Sequence, residues 1–173
     1  MTEESDSYDK RTVDRTDSPD PDDMEYIFTM GGPFDETLVA ICVYSDDLDR
    51  HAVTKMLGVE PTDAWNAKEP HTVGKRKRTA IHDWGKWYLT TEYSTEPVGS
   101  KIKELLNRCT DDLDVWRQLS DKYRVCFEIH GRLLNWNRQL DLEPDMLRML
   151  ANRSVALAID VYGPWGEDDE GEE

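Results

Sequence analysis

The segment Tyr123–Arg132 reads Y-R-V-C-F-E-I-H-G-R and alternates along its length. Tyr123, Val125, Phe127 and Ile129 fall on one parity, and Arg124, Glu128, His130 and Arg132 on the other. A two-residue period is that of a strand with one face in a core and one in water. One-sided strands belong to antiparallel sheets, because parallel sheets are usually covered on both faces. The pattern therefore asks for a sheet with its helices on one side. Thr37–Ser45 (T-L-V-A-I-C-V-Y-S) is apolar on both parities, which predicts a central strand buried more fully than its neighbours.

The other elements follow from caps and periodicity. Asp46-Asp47 predicts the N-cap of a helix over Leu48–Leu57, with Leu48, Ala52, Val53, Met56 and Leu57 on one side and Gly58 in a left-handed position past its end. Trp84–Glu92 reads as a strand with Trp87 and Leu89 on one face. Pro97 opens a helix carrying Val98, Ile102, Leu105, Leu106 and Cys109 at helical spacing. A second helical piece after Thr110-Asp111-Asp112 turns Leu113, Trp116 and Leu119 inward. Pro144 begins a last helix, and Ser154–Gly163 is the closing strand, with Val155, Leu157, Ile159 and Val161 inward. Trp65–Asp83 and Leu133–Leu142 lack periodicity and read as loops, the first long and exposed. Strand, loop, helix and strand thus recur twice. The expected fold is α+β: a ferredoxin-like, duplicated split β-α-β with four antiparallel strands and helices on one face. Thr37–Ser45 and Tyr123–Arg132 are its expected inner strands.

Charge separates this domain from its ends. Of 173 residues, 21 are Lys or Arg and 37 are Asp or Glu, a net charge of −16. Residues 1–25 hold −7 of this and residues 167–173 hold −6, which leaves −3 between them. The first segment has almost nothing to bury and is expected to be a disordered, solvated tail rather than an acidic docking arm. Residues 26–166 are expected to form one domain, in which Tyr26, Ile27, Phe28 and Met30 pair as an edge strand or cover the core. The opening M-T-E-E-S-D-S has neither a basic nor an apolar region of a secretion signal, and Leu38–Tyr44 is too short to span a bilayer. A cytoplasmic protein with no membrane partner is the expectation. Cys42, Cys109 and Cys126 form no C-x-x-C pair and read as small core residues of a reducing compartment.

Three stretches together resemble the DUF4279 family of bacterial domains of unknown function. Asp46–Trp65 (D-D-L-D-R-H-A-V-T-K-M-L-G-V-E-P-T-D-A-W) looks like that family's helix ending in L-G-x-x-P-T. Gly85–Leu89 (G-K-W-Y-L) is similar to its G-x-W-x-L strand, and Leu142–Tyr162 to its closing helix and D-x-Y strand. The resemblance spans roughly Thr37–Gly163. Ala67-Lys68-Glu69-Pro70 departs from the family's Lys-Gly-Glu-like turn, and the basic run Lys75–Arg78 is heavier than the family pattern. The resemblance implies an α+β domain of the bacterial cytoplasm and brings no catalytic residues with it.

No residue cluster dictates a reaction. His82-Asp83 suggests an oriented base, but the sequence supplies no nucleophile to go with it, and His51, His71 and His130 have no metal-ligand spacing. Neither enzyme activity nor a cofactor or metal is expected. Lys75, Arg76, Lys77 and Arg78 beside Trp84 would suit phosphates and a stacked base. The acidic balance makes a solvated loop the simpler reading, and nucleic acid the less favoured partner. Of six tryptophans, Trp87 and Trp116 have core spacing, whereas Trp65, Trp84 and Trp136 sit at loop edges. Those three with Arg138 form the candidate patch for a protein partner, because Trp and Arg dominate interface hot spots; simple loop anchoring is the competing account. The preferred expectation is a non-catalytic protein-interaction module. Small size and acidity suit an immunity-type inhibitor that masks a basic nuclease toxin.

Overall fold

Along the chain, β1 (Gly32–Pro33) and β2 (Glu36–Ser45) precede α1 (Arg50–Leu57). The short strands β3 (Asp63–Trp65), β4 (His71–Val73) and β5 (Arg78–Ala80) lead to β6 (Gly85–Thr90). Helices α2 (Val98–Arg108) and α3 (Leu113–Lys122) then bring the chain to β7 (Arg124–Arg132), and β8 (Arg138–Gln139), α4 (Pro144–Asn152) and β9 (Ala156–Tyr162) complete it. This is a computed structural model, and it describes residues 32–74, 76–134 and 137–163. The apolar segment Tyr26–Met30 and both acidic ends lie outside the described residues.

The main sheet has five strands in the order β3–β6–β2–β7–β9. Its first three pairings are antiparallel and β7–β9 is parallel. The expected four-stranded antiparallel ferredoxin-like sheet is therefore corrected to a five-stranded mixed one. Two connections explain the difference. A single helix, α4, carries the chain from the end of β7 back to its beginning, so β9 is laid down parallel. After α1, by contrast, the chain makes a long excursion through β3–β5 and returns as β6 antiparallel to β2. Within that excursion, read from sequence as an irregular loop, Asp63–Trp65 adds an edge strand to β6 and β4 pairs with β5 as a hairpin. The two expected inner strands are interior: β2 lies between β6 and β7, and β7 between β2 and β9.

Caps set the helix limits. The Asp49 carboxylate accepts from the amides of His51 and Ala52 at 3.0 and 3.1 Å, so α1 starts two residues later than expected. Gly58 closes it at φ 72°, its amide donating to Thr54 O. Asp112 caps α3 through the Asp114 amide at 2.9 Å. Pro144 occupies the first turn of α4, where its missing N–H has no partner to lose.

One parity of each inner strand builds the core. Val39, Ile41 and Val43 of β2, Trp87 and Leu89 of β6, and Val125, Phe127 and Ile129 of β7 pack against apolar side chains of all four helices. Each such side chain removed from water contributes about 1.5–3 kcal/mol before entropy is counted. Trp87 and Trp116 are fully buried, and each satisfies its indole N–H, on Thr54 Oγ1 and on Thr110 O. Lys101 is buried as well. Its ammonium donates to the carbonyls of Thr37, Glu92 and Ser94, which joins the start of β2 to the segment after β6.

Strand β9 departs from expectation. Leu157, Ile159 and Val161 face the helix side, in register with Phe127, Ile129 and Gly131, yet they are 36, 45 and 52 % exposed. The described residues leave this edge strand incompletely covered, so alternation there does not mean burial. Leu113, expected inward, is also exposed at the first position of α3. No helix among the described residues is long and apolar enough to cross a membrane.

Candidate functional site

With the helices packed on one face, the second parity of every main strand lines the other. Register arranges these side chains in rows. Trp65, Lys86, Tyr44 and Arg124 form one row; Asp63, Tyr88, Cys42 and Cys126 the next. Then come Thr90, Ala40, Glu128 and Ala158, followed by Leu38, His130 and Asp160, and finally Glu36, Arg132 and Tyr162. Glu128 is thus flanked across both strand pairs by alanines, and the space they leave lets longer side chains in neighbouring rows converge on it.

They do converge. The Tyr44 hydroxyl donates to Glu128 Oε1 at 2.6 Å, and the Cys42 thiol donates to Oε2 at 3.2 Å. The Cys126 thiol lies 3.6 Å from Oε1. Lys86 Nζ and His130 Nε2 stand 3.7 and 3.6 Å from Oε2. His130 first, then Tyr44, Cys42 and Lys86, hold the Glu128 carboxyl far below the usual carboxylate range, against the opposing effect of burial. Burial, reinforced by Glu128, pushes the Tyr44 hydroxyl up, and the Cys42 thiol is raised by its hydrogen bond to Cys126 and by burial. The Lys86 ammonium also lies over the Tyr44 and Tyr88 rings, 4.9 and 5.0 Å from their centroids. On the far side of the row, His130 Nδ1 is 3.6 Å from Asp160 and 3.4 Å from the Tyr162 hydroxyl.

A second cluster adjoins the first at Tyr44 and Tyr88. Trp65 stacks on His71 with centroids 4.1 Å apart, His82 stacks on Trp84 at 4.8 Å, and the two indoles meet at 5.6 Å. Trp84 also meets Tyr44 edge-on at 5.7 Å. Gly85 permits this packing: a Cβ there would lie 2.7 Å from Leu48 Cβ and 3.0 Å from Trp65 O. Trp65 is buried and Trp84 is 37 % exposed, so the first indole backs the second. Trp65 Nε1 and His71 Nε2 are buried without a hydrogen-bond partner. The β4–β5 hairpin rises from this cluster, with Gly74 and Lys77 in left-handed conformations at its turn and Arg76, Lys77 and Arg78 exposed.

Of the residues singled out from sequence, the fold brings Trp65, Trp84 and His82 together, and seats Arg76, Lys77 and Arg78 on the hairpin beside them. Arg138 is not brought to that cluster. It pairs with Asp35 at 2.6 Å, before the start of β2, whereas Trp84 sits against Tyr44 at the other end of that strand. That guanidinium holds the Asp35 carboxyl below its usual range. Trp136 and Lys75 lie outside the described residues. His82 has His71, Trp65 and Trp84 as ring neighbours. Sequence reasoning passed over Glu128, Lys86 and the pair Cys42–Cys126. Alternation places each on a polar or mixed parity, but only the register between strands 84 residues apart shows that they meet. Among the described residues, no group of three or more His, Cys, Asp or Glu side chains is placed to hold a metal ion.

A family model described as a domain of unknown function (DUF4279) matches residues 35–164. No curated protein and no solved structure matches the chain.

Proposed function

The chain belongs to the DUF4279 family, and from the sheet face opposite its helices we propose that it is a non-catalytic module that binds another protein through that face. The observation that carries this reading is the half-exposed Trp84, held rigidly against Trp65, His82 and Tyr44 beside an exposed basic hairpin. An indole fixed before binding loses little conformational entropy on contact, and Trp with Arg is the pairing that most often dominates binding energy.

Glu128, Cys42 and Tyr44 of this face support holding over reaction. General acid–base catalysis needs a group that titrates near the working pH. Glu128 is held far below that range, and Cys42 and Tyr44 are pushed above it. These side chains tie the strands together and present a polar surface.

The test is capture by the immobilised full-length protein from native lysate at moderate salt, read by mass spectrometry. One protein retained by the wild type and lost with Trp84→Ala supports the reading. Identical retention by both proteins overturns it. The narrower form, an immunity-type inhibitor, rests on the net charge of −16 and predicts that co-expression protects cells from a basic nuclease toxin encoded nearby. Unaltered killing removes it.

A second reading, nucleic-acid binding, is favoured by one feature: the hairpin carries Arg76, Lys77 and Arg78 exposed next to the stacked rings. Phosphate contacts make affinity fall steeply with salt. If neutralising these three residues leaves the affinity for mixed oligonucleotides and its salt slope unchanged, this reading is eliminated.

A further inference from the structure

We propose that Cys42 and Cys126 are a dithiol that a low-molecular-weight disulfide oxidises to a cross-strand disulfide inside the folded domain. The two residues are direct partners across the antiparallel β2–β7 pair. Residues so opposed point to the same face and have Cα atoms about 4.5–5.5 Å apart. Disulfides span Cα separations of about 4.4–6.8 Å, so the strands are already placed for closure and the thiols need only rotate. Both are free in the structure. Both thiols point at Glu128, Cys42 Sγ 3.2 Å from Oε2 and Cys126 Sγ 3.6 Å from Oε1. Cys109 sits elsewhere, at the C-terminal end of α2 in the helix-side core, where burial pushes its thiol up to about 11; it is an internal control.

The exchange balances in two steps. Cys126, once its proton has passed to solvent, attacks the external disulfide as thiolate and releases one small thiolate. The Cys42 thiolate then attacks the Cys126 sulfur of the mixed disulfide and releases the second. One protein S–S bond replaces two S–H bonds, the external disulfide is reduced to two small thiols, and these take up the two protons. The pair lies beneath Leu38, Tyr44 and Tyr88. Exchange therefore requires the Tyr44 and Tyr88 rings to swing aside, and oxidation takes two thiol donors away from Glu128.

Full-length protein equilibrated with mixtures of reduced and oxidised glutathione, quenched in acid, alkylated under denaturing conditions and weighed intact gives the answer, with circular dichroism on parallel samples. The expected result is a native spectrum throughout and a single transition in which two of the three alkyl groups are lost. Peptide mapping then joins Cys42 to Cys126, with Cys109 still alkylated. Cys42→Ser abolishes the transition, and in a time course at one excess of oxidised glutathione Tyr44→Ala speeds disulfide formation several-fold. Three alkylated cysteines at every ratio in a native protein, or a crosslink that appears only as the native spectrum is lost, would overturn the proposal. Both of these outcomes are read on the wild type, so neither depends on a variant that folds.

Discussion

The Tyr44 hydroxyl reaches the Glu128 carboxylate at 2.6 Å although the two residues do not face each other across their strands. Tyr44 opposes Arg124, and Glu128 opposes Ala40. Both long side chains lean along the sheet, and their hydrogen bond passes over the row that holds Cys42 and Cys126. The core-facing parity packs by shape; this parity is held together by directional polar contacts converging on one carboxylate.

That carboxylate gives stability a defined acid limb. Its folded-state pKa is depressed, so its contribution is complete above the unfolded value of about 4.3 and is lost as pH falls below that. Glu128→Gln is expected to flatten the loss of stability between about pH 5 and 3. At pH 7 the variant should be about 2 kcal/mol less stable, because its neighbours lose a charged acceptor. Urea melts across this range decide the matter: an acid limb of equal slope in both proteins would remove Glu128 as its source.

Two tryptophans three residues apart should behave oppositely. Trp87→Ala removes a fully buried ring and is expected to lower stability by about 3–5 kcal/mol. Trp84→Ala should change stability by about 1 kcal/mol while removing partner capture. Equal destabilisation in denaturant melts would mean that Trp84 is a packing residue.

Gly85→Ala tests the aromatic cluster through the backbone. The added methyl meets Leu48 Cβ and the Trp65 carbonyl, neither of which is the free end of a flexible side chain. A loss of about 1–3 kcal/mol is expected, together with a changed near-ultraviolet circular dichroism band as Trp65 and Trp84 are displaced. An unaltered band with wild-type stability would show that the site has room.

Ile129 and Ile159 are register partners of one residue type on the same side of the sheet. Ile129 is fully buried, and Ile129→Ala should cost about 2–5 kcal/mol. Ile159 stands 45 % exposed on the edge strand, and Ile159→Ala should cost about 1 kcal/mol or less. Comparable losses would mean that something covers β9 in solution.

Much of the fold was legible because it is locally encoded. Gly58 ends α1, Pro144 begins α4, and Asp112 caps α3, each through backbone groups within a few residues. Alternation in Tyr123–Arg132 identified the parity that Phe127 and Ile129 give to the core. The same reading failed at Leu157, Ile159 and Val161, since period two reports which face a residue shares and says nothing of whether a helix lies over it. It also missed the β4–β5 hairpin, whose strands are three residues each and too short to show a period.

The sequence by itself determined helices α1–α4, the two inner strands and the concentration of negative charge in residues 1–25 and 167–173, because caps, periodicity and charge act within one segment. Only the tertiary structure decided the parallel placement of β9, the seating of Trp84 against Tyr44, and the meeting of Cys42, Cys126 and Glu128. Those depend on register between strands far apart in the chain, and register is chosen when whole apolar faces are buried together, with the polar parity carried along to wherever that choice leaves it.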